Sequence, residues 1–144
     1  MYNYICYLKG KKENIHLIKI LSNIFKCKKE FIGNLLDSEN FEIRFENRLL
    51  DDISEFSTEL NVYLNDTVNK TVISNNFLFG IELSRYLNEE IIVSTNRDDP
   101  YQWILIRNNS FFLAEEAEDE SFGITLQRSK NIEISYEDAK NISS

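Results

Sequence analysis

Runs of adjacent carboxylates are the most abundant chemical resource of this chain: Asp51-Asp52, Glu89-Glu90, Asp98-Asp99, Glu115-Glu116 and Glu118-Asp119-Glu120. Paired acids can divide general-acid and general-base work, or gather oxygen ligands around a divalent cation. Both uses need carboxyl groups that converge, and immediate neighbours on a strand point to opposite faces. No DxDxDG calcium loop accompanies them. A solvated acidic turn and an acidic partner-binding surface therefore stand ahead of catalysis and metal binding.

Other chemistry is sparse. His16 is the only histidine and shares a helix face with Lys12, Lys19 and Lys26, which leaves a Ser-His-Asp or Cys-His arrangement without a placed base. Cys6 and Cys27 are too few for a disulfide framework or for a structural zinc site of about four ligands. Cys6 alternates with Tyr4 and Leu8, the setting of a buried, inert thiol. The four glycines, Gly10, Gly33, Gly80 and Gly123, never cluster, so no glycine-rich loop is present to cradle a phosphate. The expectation is no catalytic residue, no metal and no cofactor.

The net charge of −8 is unevenly spread. The first 30 residues carry seven lysines against Glu13 and Glu30, while the remaining 114 carry nine basic and 22 acidic side chains. A mostly acidic chain repels phosphates and anionic lipid, and basic proteins are its natural partners. The lysine runs "KGKK" and "KCKK" have no stacking aromatics among them, so nucleic acid is not an expected partner. The apolar runs fall far short of the roughly 20 residues that cross a bilayer. The start, "YNYICYLKGKK", reads as a strand and lacks the positive n-region of a secretory signal. Together with two unpaired cysteines, this leads to the expectation of a soluble protein in a reducing, cytoplasmic compartment.

Hydrophobic spacing places these residues on elements. "YNYICYL" (Tyr2–Leu8) alternates Tyr2, Tyr4, Cys6 and Leu8 as a strand does. After a turn at "KGKK", Leu17, Ile18, Leu21, Ile24 and Phe25 recur at helical spacing over Lys12–Lys26, and Ile15 and Ile20 widen the stripe. "CKKEFIGNLLDSEN" adds a short helical turn. "FEIRFEN" is a strand with Phe41, Ile43 and Phe45 inward, and "ELNVYLND" repeats the rule with Leu60, Val62 and Leu64. Between them "RLLDDISEFST" is a loop or a single helical turn. A second helix spans Asn75–Glu90, capped by Ser74 or Asn75, with Phe77, Phe79, Leu83, Tyr86 and Leu87 toward a sheet.

From Ile91 onward, "IIVST", "YQWILIR", "FFLAEE", "FGITLQ" and "IEISY" are five short strand-like runs, and Asn108-Asn109 is suited to a tight hairpin turn. Tyr101, Trp103 and Leu105 share one face of their run and Ile104 and Ile106 the other, the pattern of a strand covered on both sides. The order favours a single α+β domain over residues 1–144, a mainly antiparallel sheet with two principal helices on one face. A ferredoxin-like core followed by a C-terminal β-meander is its concrete version.

The stretch "RYLNEEIIVSTNRDDPYQWILIRNNSFFLAEEAEDESFGITL" resembles the C-terminal half of small bacterial immunity proteins that accompany polymorphic and contact-dependent growth inhibition toxins. The shared layout is a helix ending "RYLN", a strand, an entry "DDPYQWILI" carried by Asp99, Pro100, Tyr101 and Trp103, a turn, another strand and an acidic segment. The turn here is "RNNS", without the glycine the resemblance would lead one to expect. The resemblance implies a non-enzymatic inhibitor that binds a cognate toxin domain in the producing cell. It does not transfer interface residues, because immunity surfaces diverge with their toxins.

Charge adds a direction to that implication. Secreted toxin domains that cut nucleic acid need Lys and Arg for phosphate, and an acidic inhibitor is steered toward such a basic nuclease. The candidate contact residues are Asp98, Asp99, Glu115, Glu116, Glu118, Asp119 and Glu120. Two other readings compete. A small carboxylate-dependent hydrolase needs a pocket lined by at least two acids with shifted pKa values. A generic adaptor or regulatory subunit needs an exposed apolar patch.

Overall fold

The computed structural model describes residues 2–36, 41–66, 68, 73–119 and 121–144. β1 (Tyr2–Leu8) leads into α1 (Asn14–Phe25), then β2 (Ile32–Asn34), β3 (Ile43–Leu49) and β4 (Thr58–Leu64). α2 (Asn76–Leu87), β5 (Ile91–Ser94), β6 (Gln102–Arg107), β7 (Ser110–Glu115), β8 (Ile132–Ile134) and α3 (Tyr136–Ile142) follow. Among the described residues the strands form one sheet in the order β2-β3-β4-β1-β5-β6-β7-β8. All neighbours are antiparallel except β2 and β3, which run parallel from Ile32↔Ile43.

The central order β3-β4-β1-β5 is two interleaved split β-α-β units, the ferredoxin-like arrangement. α1 carries the chain from β1 to β3 with β4 inserted between them, and α2 carries it from β4 to β5 with β1 inserted. β6, β7 and β8 then extend the sheet beyond β5 as a meander. The α+β architecture therefore matches the hydrophobic pattern, with both long helices packed on one face.

Helix α1 forms because Leu17, Ile20, Leu21 and Ile24 fall on one stripe, and all four are buried. It ends at Lys26, whose left-handed φ of 53° lets Cys27 N–H donate to Ser22 O at 3.2 Å. Ile15 departs from the expected stripe and is exposed. At about 100° per residue it stands roughly opposite Leu17 and so faces away from the sheet. Lys12 also departs from the helix face assigned to it: it precedes α1, and its ammonium lies 2.8 Å from Glu89.

Asn75 caps helix α2, its side chain accepting from Leu78 N–H at 2.9 Å. Phe77, Phe79, Ile81 and Leu83 are buried, and Tyr4 stacks on Phe79 with ring centroids 5.0 Å apart. Gly80 lets the helix settle onto the sheet, since a Cβ there would lie 2.8 Å from Ile106 Cδ1 and 3.2 Å from Val93 Cγ1. Tyr86, expected on the buried face, is instead exposed at the helix rim.

The C-terminal third departs most from its pattern. "IEISY" is a strand only through Ile134; Ser135 then caps α3 by accepting from Asp138 N–H at 3.1 Å. "FGITLQ" is irregular backbone that touches its neighbours through isolated bridges, Ile124 to Phe56 and Leu126 to Glu116. "RLLDDISEFST" closes as a loop of bends, and "CKKEFIGNLLDSEN" yields a single 3₁₀ turn at Lys29–Phe31 before β2. The end of that stretch, residues 37–40, lies outside the described residues. The regular strand of "FEIRFEN" starts only at Ile43, and the Phe41 ring lies against Gly33.

The sheet is apolar on both sides. Its helix face joins Tyr4, Leu17, Leu21, Phe45, Val62, Phe79, Ile104 and Ile106 in one cluster. The opposite face gathers Ile92, Trp103, Leu105 and Ala114 beneath Phe56, Ile124 and Leu126. These last three come from the irregular segments 50–57, 116–119 and 121–127, which serve as the second cover.

Candidate functional site

The β6–β7 hairpin positions the acidic residues. Its two-residue turn, Asn108-Asn109, is possible because Asn108 tolerates a φ of 52°, and Arg107 then faces Ser110. From that register Gln102 must face Glu115, and Glu116 N–H donates to Tyr101 O at 2.8 Å. The acids just before β6 and those just after β7 are thereby brought to the same end of the sheet. Asp98, Asp99, Glu115 and Glu116 lie at that end, and Glu118 and Asp119 follow on the segment that leaves it; Glu120 lies outside the described residues.

These side chains are not equivalent. Asp98 and Asp99 are exposed, and Asp99 Oδ1 accepts from Tyr101 N–H at 2.9 Å, fixing the turn into β6. Glu115 lies 3.4 Å from Lys130, an exposed pair of small energetic weight. Glu116 points the other way, under the sheet, where its Oε1 accepts from Trp103 Nε1–H at 3.1 Å. Burial is the main influence on its carboxyl and pushes the pKa up; the Trp103 bond opposes this, and the charge of Asp119 reinforces it. Glu118 and Asp119 are exposed, and Asp119 accepts from Ser121 N–H at 3.0 Å.

The loop from Asp51 to Phe56 joins the acidic end from the side. Asp51 Oδ2 accepts from Ser54 Oγ–H and from Gly123 N–H, each at 2.7 Å, while Oδ1 accepts from Ser54 N–H at 2.9 Å. Led by the Ser54 hydroxyl bond, these contacts hold the Asp51 carboxyl down to about 2. Phe56 and Ile124 exchange two backbone bonds of 2.7 and 3.0 Å. Gly123 is packed so tightly on Ser54 that a Cβ there would sit 2.6 Å from Ser54 Cβ. The result leaves Asp52, Ile53 and Phe122 outward.

A second charged centre, not anticipated as such, fastens the irregular segments to the sheet. Glu90 meets Lys9 at 2.7 Å, Arg107 at 2.7 Å and Arg128 at 2.8 Å, and Arg128 also binds Glu55. The Arg128 bonds lead in holding the Glu90 carboxyl far below the usual carboxylate range, against the opposing effect of burial. Its sequence neighbour Glu89 turns to Lys12, 2.8 Å away but off the hydrogen-bond line. The adjacent acids of the sequence are thus separated by the backbone: Glu89 from Glu90, Glu115 from Glu116, and Asp51 from Asp52.

Among the described residues no group of three His, Cys, Asp or Glu side chains could hold a metal ion. His16 is exposed on α1. Cys6 is wholly buried and burial pushes its thiol up; Cys27 is shifted in the same direction for the same main reason. Among the described residues no helix is long and apolar enough to cross a membrane. Comparison with protein-family models, curated proteins and solved structures finds no match.

Proposed function

We propose that this chain is a non-enzymatic immunity protein. It binds and neutralises a cognate bacterial toxin domain, a basic nuclease, in the cytoplasm of the producing cell. The observation that carries the reading is the exposure of four carboxylates on the segments that enter and leave the open end of the β6–β7 hairpin, Asp98 and Asp99 before β6 and Glu118 and Asp119 after β7. Several carboxylates focused in one place raise the rate of encounter with a basic surface. They also occupy the positions that substrate phosphates would take there.

Binding is favoured over hydrolysis by the way the acids are used. A hydrolase would need two carboxylates with shifted pKa values facing one cleft. Asp51 and Glu90 are depressed because the fold itself consumes their oxygens, and the raised Glu116 is engaged by Trp103.

The test is rescue of growth. Cells expressing the variable C-terminal domain of the secreted protein encoded beside this chain are expected to stop growing, and co-expression of the chain to restore them. A variant carrying Asp98→Lys and Glu118→Lys, which leaves the turn bonds of Asp99 and Asp119 in place, should keep its thermal stability, associate more slowly and lose much of the salt dependence of its rate. The reading falls if no such neighbour exists or if the chain gives no protection against it.

A further inference from the structure

Phe122 is 83% exposed and Ile53 is 78% exposed. Singly scattered exposed hydrophobics need no explanation. These two are not scattered: each is the chain neighbour of one partner in the tight Ser54–Gly123 contact, and Ile53 also lines a cleft with Ser54, Asp119, Ser121 and Thr125. Asp52 adjoins Ile53 in the chain and Glu118 and Asp119 precede Phe122, all three carboxylates being exposed. The cations of the same layer, Lys9, Arg107 and Arg128, are turned to Glu55 and Glu90.

We propose that residues 51–55, 118–119 and 121–125 form the contact platform of the immunity reading, with Phe122 and Ile53 as apolar anchors. The inference rests on that reading and adds the chemistry of the partner's face: an apolar socket rimmed by lysine or arginine. Apolar anchors within a charged rim are the usual division of labour in an interface, the centre giving affinity and the rim giving steering. The platform is also set before binding. Asp51 ties one segment to the other through Gly123 N–H, and the Phe56–Ile124 bonds repeat the tie one step inward. An anchor held in this way loses little conformational freedom on docking. A second copy of this chain is a poor occupant, because the same three carboxylates would face one another. An anionic lipid surface is repelled for the same reason.

The experiment is titration calorimetry of this chain against the toxin domain encoded beside it. Phe122→Ser should raise Kd by about 30-fold or more, the effect of losing a hot-spot side chain, and Ile53→Ser should raise it by a smaller factor. Ile15→Ser is the control, since Ile15 is 82% exposed on α1, across the sheet from the platform. It should leave Kd unchanged. Circular dichroism verifies that each variant keeps the fold, and Asp51→Ala supplies an independent arm by loosening the platform without removing an anchor; it too should weaken binding. If the wild-type chain binds and Phe122→Ser binds equally well, the platform is wrong and the immunity reading stands. If the wild-type chain does not bind, both fall. Sedimentation that shows a wild-type dimer dissociated by Phe122→Ser would assign the patch to self-association and overturn the proposal.

Discussion

On one face of the sheet, α1 and α2 bring Leu17, Leu21, Phe79 and Leu83 down onto the strands along repeating stripes, and α3 adds Ala139. On the other, two irregular segments contribute Phe56, Ile124 and Leu126 one at a time, and hydrogen bonds and ion pairs fill in what the apolar contacts leave open. Helices satisfy their own backbone groups, so they can cover a sheet by hydrophobic contact alone. Irregular chain cannot. Its amides must find partners elsewhere, and here they find Asp51, Thr125, Glu55 and one another. The difference teaches where a surface is free to specialise: the loop cover has outward side chains that no helical period dictates, and the candidate contact residues Asp52, Ile53, Glu118, Asp119 and Phe122 all belong to it.

The comparison can be broken most forcefully at the two apolar anchors of the covers. Leu21→Ala should destabilise the protein by about 2–5 kcal/mol, the cost of a large-to-small change in a packed core. Denaturant unfolding measures it, and the loss should be global because Leu21 belongs to the cluster joining α1, α2 and the central strands. Phe56→Ala should behave differently. Native-state hydrogen exchange should accelerate first at Ile124, Ala117 and Leu126, whose amides bond within the loop cover, while α1 keeps its protection. Joint loss of protection in α1 and the loops would make the two faces one cooperative unit.

An intermediate effect is expected at the ionic fastening. Glu90→Gln should cost about 1–2 kcal/mol at neutral pH, a figure kept low because all three cations remain partly in water. The folded-state pKa of Glu90 is depressed, so its contribution is present above the ordinary value near 4.3 and is lost as pH falls through the depressed one. The variant and the wild type should therefore converge in strong acid. The smallest effect has the opposite sign. Burial raises the Glu116 pKa, so that group favours folding below the ordinary carboxylate range and ceases to do so as pH rises through the raised value. Glu116→Gln keeps an acceptor for Trp103 and should be at least as stable as wild type at pH 7. Melting curves across pH check both, and a destabilised Glu116→Gln at neutral pH would contradict the account.

The same contrast explains what could be read before the structure was known. Alternation in β1 and β4 and the stripe of α1 are repeated signals, and repeated signals survive the error of any one residue. α3 offers too short a stretch for a stripe, with Ala139 alone fully buried on it; its usable cue was the spacing of Ser135 and Asp138 at the N-terminus. Phe56, Ile124 and Leu126 gave no period at all, because irregular backbone imposes none. At the candidate site, the meeting of Asp98 and Asp99 with Glu115 and Glu116 follows once Asn108-Asn109 is taken as a two-residue turn. The burial of Glu116 and the gathering of three cations around Glu90 depend on partners distant in sequence, and no local pattern announces them.

Trp103 is the only indole in the chain, and it lies on the loop-covered side, edge-on to Tyr7 at 5.1 Å and bonded to Glu116. The protein thus carries its own spectroscopic label for one cover alone. Emission excited at the indole will follow solvent entry beneath the irregular segments, and far-ultraviolet dichroism, dominated by α1 and α2, will follow the helices across the sheet. Recorded on one sample, the two signals will separate if the loop cover lifts first and superimpose if the molecule melts as a whole.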